Sequence, residues 1–240
     1  MRLPTIEGII RRRILVNYRV DPHVIQNLLP SRFRPKLHRG HAVAGVCLIR
    51  LEHIRPKMLP EIVGISSENA AHRIAVLWDH SGAIQEGVFI PRRDTNSKIN
   101  RLLSGRVFPG EHHIAEFKVH ERANKIELSM NSEDGDVSVE IVGRISEQLP
   151  QTSIFRSLAE TSCFFETGSL GYSVTTDAKR FDGLRLHTKE WRVEALDVEK
   201  VYSSYFGNES EFPKGSVEFD HALIMRDIAH EWHTASDLHV

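Results

Sequence analysis

The sequence has few cysteines, no long apolar run and almost no net charge. Its two cysteines, Cys47 and Cys163, stand in apolar surroundings without a CxxC pair, so we expect buried inert thiols rather than a disulfide or a nucleophile. No window approaches the roughly 20 apolar residues that span a bilayer, and residues 1–10 lack the apolar core of a signal peptide. These absences predict a soluble cytoplasmic protein without a membrane partner.

The charges are also balanced. A total of 31 basic and 32 acidic residues gives a net charge of −1, which creates no field that would attract nucleic acid. The one basic triplet, Arg11-Arg12-Arg13, runs directly into the apolar segment 14–16 and has no interleaved aromatic residues. We therefore expect no nucleic-acid partner.

What the sequence does contain is mainly a β pattern, in which apolar runs are separated by turn signals such as Glu121-Arg122-Ala123-Asn124. Two helices are expected. One begins at Asp21-Pro22, where an N-cap acid precedes a proline, and ends at Pro30, and the other covers residues 153–166. Strands are predicted at residues 12–18, 42–49, 71–78, 85–90, 114–120, 125–130, 137–145, 191–198 and 201–206, with 168–183 as loop or irregular strand.

Many strands joined by turns indicate a mainly β (α+β) fold, an antiparallel β-barrel or sandwich with a few short helices. A chain of 240 residues, 40% of them hydrophobic, is long enough to bury a substantial core in this form. No repeat, low-complexity tract or linker divides the chain, so residues 1–240 are expected to form a single domain.

The 14 histidines invite a metal site, but their spacing argues against one. His230 and His233 stand at i and i+3 rather than at the i and i+4 of the zincin motif, and the side chains of His112-His113 diverge on a strand. The sequence also has no nucleophile elbow, phosphate-binding glycine loop or dinucleotide fingerprint. It therefore predicts no metal and no cofactor.

The segment with the most chemical information is Glu86-Gly87-Val88-Phe89-Ile90-Pro91-Arg92-Arg93-Asp94. An apolar β-type run reaches Pro91, where we expect the strand to end because proline cannot donate to the ladder. Two interpretations of the arginines that follow stay open. They form either a solvated turn with ion pairs worth at most about 1 kcal/mol, or an anion site made by two guanidinium groups.

Three segments in the first half of the chain resemble acetoacetate decarboxylases. Tyr18-Arg19-Val20-Asp21-Pro22, with a helix that ends in Leu28-Leu29-Pro30, is similar to the Y-R-T-D strand–helix segment of that family. Residues 85–93 resemble its R-E-L-S-A-Y-P-K-K segment, and Ser67-Glu68-Asn69 is similar to its T-E-S stretch. The resemblance implies a fold of the acetoacetate decarboxylase-like type.

The full chain looks closer to the uncharacterised YqjF-like conserved proteins of the same superfamily. Four segments carry this resemblance: residues 89–95, Phe164-Phe165, Gly171-Tyr172-Ser173 and Asp220-His221-Ala222-Leu223. Such a relationship implies a β-barrel-like fold and no settled activity.

The chain departs from the decarboxylases at the residues that carry their chemistry. One amine of the family's lysine pair forms a Schiff base with the keto acid, and its pKa is depressed for that purpose. Here both positions are arginine, Arg92 and Arg93, and a guanidinium is not a usable amine nucleophile. The nearest lysine, Lys98, is expected in an exposed loop, and segment 42–49 lacks the acid of the corresponding family strand.

The resemblance still implies a pocket lined by cationic side chains, in which Arg11 occupies the position of the family's pocket arginine. Our first hypothesis is a protein that binds a small anionic or carbonyl-containing metabolite, such as a carboxylate, in the barrel. Arg92, Arg93 and Arg11 would bind the ligand. Glu86 and Glu68 would act as catalytic acid and base in lyase- or isomerase-type chemistry.

Two alternatives remain. In the first, the chain is a non-catalytic ligand-binding or assembly protein, and Arg92 and Arg93 form structural ion pairs with neighbouring acids. In the second, the chain is a decarboxylase that uses Lys98, which conflicts with the expected exposure of that amine. The sequence does not decide between a monomer and a homo-oligomer.

Overall fold

The computed structural model describes residues 5–102, 104, 109–177 and 179–239, and most of them lie in strands. The strands are β1 (Ile6–Val20), β2 (Arg34–Pro35), β3 (Leu37–His38), β4 (His41–Pro56), β5 (Ile65–His80), β6 (Ala83–Thr95), β7 (His112–Arg122), β8 (Lys125–Ser132), β9 (Ser138–Ser146), β10 (Leu170–Val174), β11 (Arg180–Thr188), β12 (Glu194–Ser203), β13 (Val217–Thr234) and β14 (Leu238–His239). The α-helices are α1 (Pro22–Leu28), α2 (Lys98–Leu102) and α3 (Leu158–Thr167), and a 3₁₀ turn covers Glu61–Val63. The mainly β prediction is confirmed.

Within the described residues these strands form one large mixed sheet. Its order is β14-β11-β10-β6-β7-β8-β9-β12-β13-β1-β4-β5-β2, with β3 beside β4 and additional pairings of β5 with β6 and β11 with β13. Two of the pairings of β6, with β7 and with β10, are parallel. Because β6 has partners on both sides, the arginine segment lies in the middle of the sheet rather than at an edge.

Both faces of the long strands are buried, which explains their nearly continuous apolar runs. Along β1, Ile14 and Val16 point into the largest cluster of buried side chains, whereas Leu15 points into a second cluster on the opposite face. Phe155 and Phe165, from the segment that contains α3, cover this second face. Each fully buried side chain of this size contributes about 1.5–3 kcal/mol of hydrophobic stabilisation.

The two predicted helices exist, and the second one starts later than expected. Asp21 caps α1 by accepting a hydrogen bond at 2.8 Å from the backbone N–H two residues on. Ahead of α3, Ser153 Oγ and the Ile154 N–H donate to the carboxylate of Asp220 at 2.7 and 2.9 Å, which holds this stretch as a loop. Ser157 then caps α3. In the described part of the chain, no helix has the length and apolar character needed to cross a membrane.

The strand that reaches Pro91 does not end there. The register of β5 and β6 shifts between the pairs His72–Arg92 and Ile74–Phe89, which leaves Pro91 in a bulge. Its missing N–H costs no ladder hydrogen bond at that position, so the strand continues to Thr95. The two arginines are therefore residues of a central strand and not of a turn.

Three further predictions differ in detail from the structure. The strands predicted at 191–198 and 201–206 are parts of one strand, β12, which begins at Glu194, ends at Ser203 and absorbs the interruption as a register shift between Val198 and Lys200. Segment 168–183, predicted as loop or irregular strand, contains the strand β10 and the start of β11. Cys47 is buried as expected, but Cys163 is exposed because it lies on the solvent side of α3, two residues before the buried Phe165.

Candidate functional site

Arg92 and Arg93 point to opposite faces of β6. Arg92 pairs across the sheet with His72, whereas Arg93 pairs with Ala71 on one side and His112 on the other. Since neighbouring residues of a strand alternate between the two faces, the pair does not form a joint site. The two guanidinium groups have different surroundings.

Three carboxylates neutralise the guanidinium of Arg92. Its Nη2 lies 2.9 Å from Asp94 Oδ1 and 2.8 Å from Asp134 Oδ2, and its Nη1 lies 3.4 Å from Asp136 Oδ2. Burial raises the pKa of Asp94 although Arg92 opposes that shift. For Asp134, hydrogen bonds from Ser132, the 136 N–H and Arg92 outweigh burial and hold its pKa well below the ordinary value. This arginine has no free charge for an anionic ligand.

Arg93 is different, because among the described residues no carboxylate lies within ion-pair distance of its guanidinium. Its Nε donates to Ser173 Oγ at 2.9 Å. Burial lowers the pKa of Arg93 to about 10, with nearby Cys47 and Asp182 acting against the shift. The side chain is therefore still charged at pH 7, and its positive charge is only partly balanced by the protein.

The Arg93 side chain lines a pocket of about 60 Å³, which we call the Arg93 pocket. Its apolar wall includes Ile49, Leu184 and Trp232. Its polar wall includes Ser67, Asn69, Asn100 and His112. Asp94, which pairs with Arg92, also belongs to the lining. A cation together with apolar groups is the arrangement expected for a small ligand with an anionic and an apolar end.

Asn100 adds an unused acceptor to this pocket. The residue is buried, and its Nδ2 donates to Ser67 Oγ at 3.1 Å and to Asn69 Oδ1 at 3.3 Å. Its Oδ1 has no hydrogen-bond partner within the described ranges. A buried carbonyl oxygen without a donor costs about 1–3 kcal/mol, so a ligand hydroxyl would be stabilised there.

His112 is the neighbour of Arg93 across the β6–β7 pairing. Burial first, and then the positive charge of Arg93, lower the pKa of His112 to about 3. Its imidazole is therefore neutral at pH 7. With so low a pKa this imidazole is a weak base, and it would take part in a site as a neutral hydrogen-bonding group.

The structure does not bring Arg11 to this pocket. The side chain is exposed on the outside of β1, where Nη2 lies 2.9 Å from Glu52 Oε2 and Nη1 lies 2.5 Å from Asp227 Oδ1. Glu52 comes from the part of β4 that follows segment 42–49, which itself carries no acid. Arg11 is thus part of a surface ion-pair group.

The two predicted acids also lie elsewhere. Glu68 is buried against Arg12, with its Oε2 2.6 Å from Arg12 Nη2, and burial raises the pKa of Glu68 against the effect of that arginine. Glu86 is half-buried near the other end of β6, 2.9 Å from Lys36 Nζ. Burial tends to raise the pKa of Glu86, but the hydrogen bonds from Lys36 and Thr167 lower it overall.

Most of the polar groups around Arg93 were not among the predicted site residues. Ser173 stood in a segment quoted for the resemblance, but nothing in that segment indicated a contact 80 residues away in the chain. Ser67 and Asn69 also stood in a quoted segment, of which only Glu68 was given a role, and Asn100 is a neutral side chain without a spacing signal. In the part of the chain that the structure describes, no group of three or more His, Cys, Asp or Glu side chains is placed to hold a metal ion.

Comparisons with known proteins agree with this fold. Residues 10–218 match the DUF2071 family, which is described as an uncharacterized conserved protein. No protein of curated function matches the chain. The structure of acetoacetate decarboxylase from Legionella pneumophila is similar with a TM-score of 0.61 at 12% identity, covering 98% of this chain and 88% of that one.

Two further solved structures are similar. An acetoacetate decarboxylase-like enzyme from Sphingomonas wittichii has a TM-score of 0.57 at 12% identity, covering 100% of this chain and 93% of that one. The enduracididine biosynthesis enzyme MppR complexed with pyruvate has a TM-score of 0.57 at 10% identity, covering 99% of this chain and 90% of that one. At these identities the likeness shows the fold. The chain therefore belongs to the DUF2071 family of uncharacterized conserved proteins and has an acetoacetate decarboxylase-like fold.

Proposed function

We propose that this protein binds a small carboxylate with an adjacent carbonyl or hydroxyl group, such as a 2-oxo acid, in the Arg93 pocket. The observation that carries the proposal is the guanidinium of Arg93, which lines the pocket and has a serine hydroxyl as its hydrogen-bond partner. A carboxylate would accept two hydrogen bonds from the planar guanidinium and supply the negative charge that Arg93 lacks among its neighbours.

The dimensions of the pocket favour a ligand of only a few heavy atoms. A volume of about 60 Å³ corresponds to roughly four or five water-sized positions. With the carboxylate on Arg93, a short alkyl group would face Ile49, Leu184 and Trp232. A hydroxyl or enol hydrogen of the ligand would have the free Oδ1 of Asn100 as its acceptor.

Two structures of a protein with the same fold support this ligand class. MppR has been solved in complex with pyruvate and with the condensation product of pyruvate and imidazole 4-carboxaldehyde. Both ligands are built from a 2-oxo acid. Such a compound has the charge, size and carbonyl group that the Arg93 pocket would accommodate.

Any chemistry in this pocket would be acid–base chemistry without a covalent lysine intermediate. Both positions of the resemblance are arginine, and no lysine is among the described residues that line the pocket. Lys98 is exposed. His112, whose pKa is lowered to about 3, would assist such chemistry as a neutral hydrogen-bonding group and not as its base.

A second candidate role concerns Arg92 alone. The contacts of Arg92 with Asp94, Asp134 and Asp136 support the alternative in which this arginine is a structural ion-pair centre. It would then hold the β8–β9 turn, residues 133–137, against β6. The two arginines of the pair would then have different roles.

A thermal-shift titration with pyruvate and acetate tests the proposed function. We expect saturable stabilisation of the native protein, equivalent to about 2.7 kcal/mol when the ligand reaches 100 times its Kd. Arg93→Gln should abolish the shift. Arg93→Lys should keep part of it, because lysine retains the positive charge but cannot donate the two parallel hydrogen bonds of a guanidinium. Arg34→Gln, which removes an exposed arginine paired with Asp79, is the matched control. An unchanged response of Arg93→Gln, or no response of the native protein, would refute the proposal.

A further inference from the structure

A second arginine on the same face of the sheet also lacks an acidic partner. Arg73, on β5, is 4% exposed, and its Nη2 donates to Asn17 Oδ1. Its guanidinium carbon lies 4.7 Å from the centre of the Phe165 ring. Its Nε has no hydrogen-bond partner among the described residues, and none of their carboxylates lies within ion-pair distance. Burial of a guanidinium in this state is unfavourable unless a negative charge reaches it.

A third arginine, Arg13, adds a second uncompensated charge beside Arg73. Its Nε donates to Cys47 Sγ at 3.3 Å, its Nη1 lies 3.9 Å from Met225 Sδ, and its guanidinium carbon lies 5.7 Å from the centre of the Trp191 ring. These partners are soft or aromatic groups, and no carboxylate in the described ranges pairs with it. The positive charge of Arg13 contributes, after burial, to lowering the pKa of Arg73 to about 10.

Arg13 and Arg73 open into a cavity of about 30 Å³ beneath α3, which we call the Arg73 pocket. Phe164 and Phe165 form its other wall, and Lys36 is at its rim. The charge of Lys36 is already matched by Glu86, whose Oε2 lies 2.9 Å from Nζ. The lining thus carries two positive charges in excess. A cavity of this size admits one small oxyanion group, or about two water molecules.

A buried chain of hydrogen bonds fixes the position of Arg73. Asn17, which accepts from Arg73, donates through Nδ2 to His221 Nε2 at 3.0 Å. His221 Nε2 also lies 2.9 Å from Thr161 Oγ1, and its Nδ1 lies 2.6 Å from Asp220 Oδ2. The carboxylate of Asp220 therefore lies at the end of this series of hydrogen bonds that is farthest from Arg73. The hydrogen bonds orient the Arg73 guanidinium toward the cavity without neutralising its charge.

We propose that the Arg73 pocket binds a phosphate group, as inorganic phosphate or as part of a phosphate monoester. Two guanidinium groups with free hydrogen-bonding capacity match the charge of a phosphate dianion and the spread of its oxygens. The pocket shares no lining residue with the Arg93 pocket. The two sites are therefore distinct.

Calorimetric titration with inorganic phosphate at constant ionic strength tests this proposal. We expect saturable binding to the native protein and at least tenfold weaker binding to Arg13→Gln, a partly exposed position whose replacement leaves the core intact. Arg73→Lys should also bind phosphate at least tenfold more weakly, since the second guanidinium group is lost. Arg34→Gln and Arg93→Gln should bind phosphate as the native protein does. Sodium chloride at matched ionic strength should give no saturable heat.

Three results would overturn the phosphate site. The first is the absence of saturable phosphate binding to the native protein, and the second is unchanged affinity in both Arg13→Gln and Arg73→Lys. The third is loss of phosphate binding in Arg93→Gln, which would assign the anion to the Arg93 pocket and leave the carboxylate proposal standing.

Discussion

The two sides of β6 have neighbouring arginines with opposite surroundings. On one side, the guanidinium nitrogens of Arg92 lie within 3.4 Å of the oxygens of three carboxylates. On the other side, Arg93 has a serine hydroxyl and a small pocket. Two adjacent residues of one type thus have different partners, which come from other strands, and we propose different roles for them on that ground.

The source of the difference is visible in the chain positions of the partners. Asp134 and Asp136 belong to the β8–β9 turn, which packs against the Arg92 side of β6. The Arg93 side is bordered by β10, which provides Ser173 and no acid. We therefore propose a structural role for Arg92, which lies beside the acidic turn, and ligand binding for Arg93, whose hydrogen-bond partner is a neutral hydroxyl.

Arg92→Gln should produce the largest effect on stability. It would leave the fully buried carboxylate of Asp94 without its cation, which costs about 3–5 kcal/mol. Urea denaturation of the variant should show this loss. Arg34→Gln, at an exposed pair, should lose about 1 kcal/mol or less. Equal losses in the two variants would contradict the structural role of Arg92.

The pH dependence of stability should reveal the buried histidines on both sides. Burial lowers the pKa of His72, on the Arg92 side, and of His112, on the Arg93 side, to about 3. The unfolded chain takes up a proton near pH 6.5, so each histidine reduces stability as the pH falls, by about 2 kcal/mol at pH 5. His72→Gln should lose less stability between pH 7 and 5 than the native protein. The exposed His80→Gln should follow the native curve. A native protein equally stable at both pH values would contradict this expectation.

Arg93→Gln should change stability much less than Arg92→Gln. It removes one hydrogen bond, to Ser173, but also an uncompensated charge, so the net change in unfolding free energy should stay within about 1 kcal/mol. Urea denaturation measures the difference. A loss as large as that of Arg92→Gln would mean that Arg93 is also structural, and the comparison would fail.

Lys98→Gln should have no effect on ligand binding. Lys98 is exposed at the start of α2 and is not among the residues lining the Arg93 pocket. Borohydride reduction in the presence of pyruvate, followed by mass spectrometry, should give no adduct on the native protein. An adduct at Lys98 would revive the decarboxylase alternative.

The fold could be predicted from the sequence to a large extent, because alternating apolar runs, turn signals and the Asp21-Pro22 cap are local features. The end of the strand at Pro91 could not, since the bulge that tolerates the proline depends on the register with β5. Strand pairing also separates the predicted site residues in the structure, which are Arg92, Arg93, Arg11, Glu68 and Glu86. Their partners come from distant strands, and the alternation of faces divides two neighbours that look equivalent in sequence.

A crystal structure of the protein with pyruvate tests the central claim most directly. We expect the carboxylate of pyruvate within hydrogen-bond distance of the Arg93 guanidinium, with the methyl group toward Ile49 and Trp232 and no covalent bond to the protein. Arg92 should keep its three carboxylates unchanged. Pyruvate bound to Arg92, a bond to a lysine, or an empty Arg93 pocket at saturating pyruvate would contradict the account.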